Sequence, residues 1–234
     1  MRHVLQALTA LAVLVLACGS TLAQSSPDLP GDEPNDDPRG NVNIGTPIVV
    51  PLDPMSNAVH LGFGMTVGGG YNFTRRHGAI GEFMWNRMIP SNEAMAKVRT
   101  ALKDPTLNAS ASVIAMTGNY RFELRGRALG AYLIGGGGLY YRKTSLSKEV
   151  TTGSNITCTP NLEWWGFTCE SGTITANQTV GSWSASALGG NAGVGFTTRV
   201  GEAPYRFYIE TRYHYAPNPR VNTQLIDISF GVRY

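Results

Sequence analysis

The ten residues from Leu225 to Tyr234 constrain the fold more tightly than any other stretch. Ile226, Ile228, Phe230, Val232 and Tyr234 alternate strictly with Asp227, Ser229, Gly231 and Arg233. Successive side chains of a strand point to opposite faces, so this segment has one apolar face and one polar or small face. The pattern recurs upstream, where Val59, Leu61, Phe63, Met65, Val67, Gly69, Tyr71 and Phe73 alternate with His60, Gly62, Gly64, Thr66, Gly68, Gly70 and Asn72. In a soluble protein the charged face of such a strand would meet water across an open sheet. A transmembrane barrel does the reverse, turning the apolar face to lipid and the polar face to a closed interior.

Composition favours the second arrangement. Charged residues are 15% of the chain and glycine contributes 28 of 234 residues, against a usual glycine share of about 7%. Apart from the first residues, no apolar run approaches the ~20 residues that a membrane helix needs. The apolar residues are spread by alternation instead. A net charge of +3, with no basic cluster beyond Arg75-Arg76, gives no footing for nucleic-acid binding.

The long apolar run is at the start. Arg2 and His3 precede Val4 to Ala17, and Thr21-Leu22-Ala23 supplies small residues before Gln24. This is the pattern of a secretory signal peptide over residues 1–23, with cleavage after Ala23. Acylation at Cys18 is the competing reading, but Leu16 sits where a lipoprotein signal carries a small residue. Residues 24–40 hold four prolines and five acidic residues and are expected to form a disordered leader. Pro34 and Pro38 break the spacing of a calcium loop in that acidic cluster. The barrel is expected over residues 41–234.

Strands are expected at 41–51, 58–73, 78–89, 110–124, 128–142, 182–200, 205–215 and 225–234. The first is the weakest, because Pro47 costs it a ladder hydrogen bond. Short polar turns at 74–78, 125–127 and 201–204 alternate with longer connections at 90–108 and 143–180. In the first of these, Asn92 is placed to cap a short helix bearing Met95, Val98, Ala101 and Leu102, closed by Pro105. The second reads as the longest loop. Gly135 to Gly138 lacks the Lys-Ser/Thr of a phosphate loop and falls inside a strand pattern. Its glycines are expected to let the wall curve or an opposing side chain fill the interior. Eight strands, short turns on one side and long loops on the other, make an eight-stranded antiparallel transmembrane β-barrel with one short helix in an outer loop. Trp85, Tyr71, Phe73, Tyr120, Phe122, Tyr213, Tyr215 and Tyr234 fall near strand ends, where interfacial belts belong.

With Val67-Gly68-Gly69-Gly70-Tyr71-Asn72-Phe73 and the closing Phe230-Gly231-Val232-Arg233-Tyr234, residues 41–234 resemble the OmpA/OmpX-type small outer-membrane barrels of Gram-negative bacteria. The resemblance implies a bacterial outer-membrane location, lipid and lipopolysaccharide as surroundings, and a monomer. It also implies that Ile226, Ile228, Phe230, Val232 and Tyr234 act as the signal read by the barrel-assembly machinery. The peptidoglycan-binding domain that follows the barrel in OmpA is not matched here.

The inward charges are expected to be Glu82, Arg121, Glu123, Arg142, Arg199, Arg206, Glu210, Arg212, Asp227 and Arg233, with His60 and His214. Charges in a narrow lumen need partners, so a paired interior network is expected. A porin-like path for small solutes, lined by arginine and favouring anions, is the alternative. Some eight-stranded barrels modify the acyl chains of lipopolysaccharide with a Ser/His/acid set reachable from lipid. His60 and His214 both fall on inward positions, which argues against an enzyme, and no cofactor or metal site is expected. Once Cys18 is removed, Cys158 and Cys169 form an even pair in an exported chain and read as a disulfide. The loop they close holds Trp164, Trp165 and Phe167. Apolar area of that kind on a solvated loop marks either a contact surface for an unidentified extracellular ligand or a cap on the barrel mouth. The function expected is structural or surface interaction through the long outer loops.

Overall fold

Alternation of apolar and polar residues drives eight strands in the computed structural model, which describes residues 39–126, 128–161, 166–199, 204–218 and 221–234, with the backbone alone between 151 and 174. The strands are β1 (Gly40–Pro51), β2 (Val59–Asn72), β3 (His77–Pro90), β4 (Leu107–Arg125), β5 (Leu129–Asn161), β6 (Gly166–Thr198), β7 (Arg206–Ala216) and β8 (Thr223–Arg233). Each pairs antiparallel with the next, and β8 returns to β1 to close the barrel. Closure leaves no unpaired edge around the ring, which a bilayer demands of any spanning sheet. The closing pairs include Ile44 with Val232, Thr46 with Phe230 and Ile48 with Ile228. The terminal strand therefore locks onto β1, the segment that read most weakly. Pro47 is accommodated opposite Ser229.

Sidedness follows the alternation. Leu61, Phe63, Met65, Met116, Leu124, Leu133, Leu188, Ile209 and Phe230 are exposed on the outside, while Asn43, Glu82, Asn119, Arg121 and Glu210 are buried inside. Such an exterior suits lipid, and among the described residues no helix is long and apolar enough to cross a membrane. Tyr71, Phe73, Tyr120 and Tyr234 gather at the end with the short turns. Trp85 and Tyr141 lie in register with Ile114 nearer the other end, so both rims of the apolar band carry aromatics.

Two positions depart from strict alternation. A register irregularity between Val59 and Gly62 turns Val59 inward and leaves His60 exposed. His60 is therefore not part of the interior. The helix α1 (Asn92–Leu102) forms where expected, but its cap is Ser91, whose Oγ accepts from the Ala94 N–H at 3.1 Å. Ser91 has extended backbone angles, whereas Asn92 already lies in the helix, so only Ser91 can fill the cap position. Lys103, at φ 54°, ends the helix two residues before Pro105.

The largest correction concerns residues 143–180. Those described, 143–161 and 166–180, are strand and not loop. β5 and β6 run 33 residues each, against 11 for β7 and β8. β4 accompanies β5 as far as Lys148, and β7 accompanies β6 only from Gly190 onward. Beyond those points the two strands pair with each other alone, out to Asn161 and Gly166. The segment is rich in Thr, with Val150, Ile156, Ile174 and Val180 among them, so its β-propensity is high. The two strands have only each other as neighbours there, so nothing in the sheet requires one face to be apolar, and the period-two signal is missing.

Candidate functional site

The interior is built in three levels, each from inward positions of several strands. At mid-height, Arg212 of β7 pairs with Glu82 of β3 and Glu210 of its own strand. Its Nη2 donates to Glu82 Oε1 at 2.9 Å. Asn43 and Asn119 also donate to the Glu82 carboxylate, at 2.8 and 2.6 Å, and Asn191 donates to Asn119 at 2.9 Å. Side chains of β1, β3, β4, β6 and β7 are thus joined across the cross-section by direct bonds. Asn119 and Asn191 reach each other over Gly136. A side chain on Gly136 would collide with Asn119, as expected for a glycine run that leaves room for opposing groups.

On the same level the Arg212 backbone N–H donates to Asp227 at 3.1 Å, and the Asp227 carboxylate lies 3.5 Å from His214 Nε2. Tyr140 shares a 2.9 Å bond with His214 Nδ1. Ser229 Oγ sits 3.5 Å from Asp227 Oδ2, so this serine addresses the acid rather than the imidazole. All of these groups are buried, so the set lacks both the geometry and the access of a nucleophilic triad. Among the described residues no three His, Cys, Asp or Glu side chains could hold a metal ion together.

Nearer the short turns, Glu123 meets Arg121 at 3.3 Å, Arg125 at 3.1 Å and Arg233 at 3.8 Å. Arg121 also donates to Asn72 at 2.9 Å. The Arg233 guanidinium stacks on Tyr132 and Tyr208, 4.6 and 5.3 Å from their ring centres. These rings lie flat over the wall because Gly195 faces Tyr132 while Gly45 and Gly231 face Tyr208; a Cβ at any of the three would collide with the ring. Arg206 donates to the Gly126 carbonyl at 2.9 Å. Half-buried Arg199 joins Arg125, Arg206 and Arg233 around a cavity of about 30 Å³ at this end.

The level nearest the long loops is apolar. Val49, Met55, Val59, Met88, Ala111, Val113 and Leu225 form one buried cluster. Met55 belongs to a short 3-10 turn (Met55–Asn57) folded in from the β1–β2 connection. Beside the cluster is a cavity of about 300 Å³, bordered by Arg142 and Trp183. The Arg142 guanidinium stands 5.0 Å from the Trp183 ring centre.

The expected interior charges thus divide. Glu82, Glu210, Arg212, His214 and Asp227 share the middle level, Arg121, Glu123 and Arg233 the level below, and Arg142 stands apart from both. The sequence places Asn119 and Asn191 on inward positions; what the reading missed is their bonding to Glu82 and to each other, along with Asn43, the rings Tyr132 and Tyr140, and the apolar level. The amides carried a signal, since each occupies an inward position of an alternating strand. The apolar level was legible only in part: Met88 and Val113 fall on the inward parity of β3 and β4, whereas Val49, between Ile48 and Val50, offers no alternation to read.

The loop contact set lies at the far end of the β5–β6 hairpin. Register places Cys158 opposite Cys169. Phe167 opens β6 opposite Pro160, and Trp164 and Trp165 lie outside the described residues.

No protein-family model and no curated protein matches the chain. Among solved structures, it is similar to the attachment invasion locus protein Ail of Yersinia pestis, at 17% identity over 83% of this chain and 97% of that one, with a TM-score of 0.46. Neisserial surface protein A aligns at 11% identity over 84% and 96%, with a TM-score of 0.46. The N-terminal β-barrel domain of Pseudomonas aeruginosa OprF aligns at 11% over 83% and 97%, with a TM-score of 0.39. Likeness at this level carries no inference about ligand or role; the barrel assignment stands on the strand pairing itself.

Proposed function

We propose that this chain is an integral outer-membrane barrel that acts by surface interaction, with the β5–β6 hairpin as its working part and the filled barrel as its base. One observation carries the reading: both hairpin strands continue far past their barrel neighbours and pair only with each other. Two free backbone edges, rich in Thr and Ser, are thereby presented beyond the ring. Exposed edges are the element that strand-addition recognition uses. Trp164, Trp165 and Phe167 are the apolar contact residues of this proposal, and a Cys158–Cys169 bond would hold the end of the hairpin in register.

The barrel's own part is structural. Direct bonds from Asn191 through Asn119 and Glu82 to Arg212 support a plugged lumen rather than a solute path. Lipid and lipopolysaccharide surround the barrel in this reading, and the assembly machinery engages β8.

Replacing residues 149–181 with a short turn tests the assignment. Gel migration should stay heat-modifiable and the protein should still reach the outer membrane, while adhesion of expressing cells to matrix-coated wells falls to the level of cells lacking the protein. Unchanged adhesion would remove the hairpin from the function. A steady conductance of the purified protein in a planar bilayer would replace the structural base with a channel.

A further inference from the structure

We propose that the apolar chamber at the loop end of the barrel is a binding site for a single-chain alkyl carboxylate, with Arg142 as the residue that receives its head group. This site is separate from the hairpin, and the inference does not depend on the hairpin's partner.

Arg142 is the anomaly from which the argument starts. It is 9% exposed, and its Nε has no hydrogen-bond partner. Among the described residues no carboxylate pairs with it; its one contact of note is the Trp183 ring. The other buried arginines are differently placed: Arg121 and Arg233 approach Glu123, Arg212 is held by Glu82 and Glu210, and Arg206 donates to the Gly126 carbonyl. A buried charge without a counter-ion is costly, and proteins rarely keep one. The chamber around Arg142 is lined mainly by apolar groups, Met55, Val59, Met88 and Val113 among them; the hydroxyls of Ser112 and Thr144 also line it, and among the described residues no carboxylate does.

The chamber specifies what would complete Arg142. An unpaired guanidinium in its wall asks for an anion, and a planar carboxylate matches the guanidinium fork. The apolar lining asks for a hydrocarbon tail. A small hydrated anion would leave the apolar lining uncovered and gain only the hydroxyls of Ser112 and Thr144 in exchange for its water, and a neutral apolar molecule would leave the arginine without a counter-ion. The volume, about 300 Å³, is at the lower limit for small-molecule pockets. It suits one medium-length chain and excludes the several chains of a membrane lipid. Trp183, 41% exposed, and Val221 stand at its border, so the ligand enters from the loop side, and the indole covers the head group already stacked beneath it.

The test uses purified protein in nanodiscs of zwitterionic lipid, titrated with bromododecanoate or bromododecanol while tryptophan fluorescence is read. The quenching that disappears in Trp183→Phe belongs to the chamber. Saturable quenching by the carboxylate is expected, with the alcohol weaker by about tenfold or more, the range for a lost hydrogen bond to a charged group. Arg142→Gln should bring the carboxylate down to the level of the alcohol. Val113→Phe, which fills the chamber without adding a tryptophan and leaves Arg142 in place, should abolish saturation. Heat-modifiable migration verifies the fold of each variant. The comparison of carboxylate with alcohol on the wild-type protein decides the matter even if a variant fails to assemble. Equal saturation by both probes, or only the unsaturable quenching of bilayer partition, overturns the proposal.

Discussion

Replacing Arg212 with Met asks directly whether the lumen is a dry network. Arg212 makes two bonds to Glu82 and a third to Glu210, and its backbone N–H donates to Asp227. Arg212→Met keeps the backbone bond and much of the side-chain volume but leaves two carboxylates facing each other without their shared cation. Removing one partner from a buried pair costs about 3–5 kcal/mol. Glu82→Gln should cost less, about 1.5–3 kcal/mol for the loss of a charged hydrogen bond, because Arg212 keeps Glu210 and one of the two amides, Asn43 on Oε1 or Asn119 on Oε2, can still donate to the remaining carbonyl. The ranking, Arg212→Met above Glu82→Gln, follows from the contacts. Urea unfolding in short-chain lipid vesicles, followed by tryptophan fluorescence, measures both. The double variant should cost less than the sum of the singles by about 0.5–3 kcal/mol, the usual coupling of contacting residues. Losses below about 1 kcal/mol for both singles, with no coupling, would mean that water screens these groups as it does surface pairs. That result would refute the filled lumen and make a conducting path the better account.

Three further outcomes are expected. Phe230→Asp puts a charge on the lipid face of the closing strand at a cost on the order of 1–3 kcal/mol; together with deletion of Tyr234 it should sharply lower the heat-modifiable yield in the outer membrane, and normal yield of both would contradict the role given to β8. Cys158 and Cys169 should resist thiol labelling in the folded protein until a reductant is added, and closing a loop of about a dozen residues should raise stability by roughly 3 kcal/mol in the chain-entropy account; labelling of both without reductant would show free thiols. Outside the membrane band, Asp104 accepts from Lys148 at 2.5 Å and from Thr106, and these bonds hold its carboxyl down at about 2. Because the folded value lies below the unfolded one of about 3.9, the tie between the α1 loop and β5 is complete above about pH 4 and is lost as the pH falls through about 2. Protease cleavage of the α1 loop should therefore be constant from neutral pH down to about 4 and rise only below it, whereas Asp104→Asn should be cleaved faster throughout.

What the sequence made legible was whatever lipid and lumen impose together. Where one face must be apolar and the other polar, as in β2, β7 and β8, alternation gave both the strand and the direction of nearly every side chain. The interior charges followed, because Glu82, Arg121, Glu210 and Arg212 occupy positions that cannot face lipid. The pairing among them was not legible, since Glu82 and Arg212 lie 130 positions apart and meet only across the closed ring. Three failures have separate physical causes. The outer halves of β5 and β6 pair only with each other, so no neighbouring strand or core enforces a period. A single irregularity between Val59 and Gly62 reversed Val59 and His60, which no pattern of period two can announce. The helix cap went to Asn92 although Ser91 was equally suited by residue type, and only backbone angles separate them.

The continuity of β5 and β6 has a mechanical consequence. The hairpin is not hung from the barrel by a flexible joint; it is a cantilever whose root is the ring itself. A pull at the far end travels along two hydrogen-bonded strands into the β4–β5 and β6–β7 ladders and is shared around the closed circuit. The β5–β6 ladder has its register breaks at Leu146/Ser147 and Thr151/Gly153, on either side of the point where β4 stops accompanying β5. The arm should thus bend at its base while staying stiff along its length, so that one contact at the end sets the lean of the whole hairpin against the cell surface.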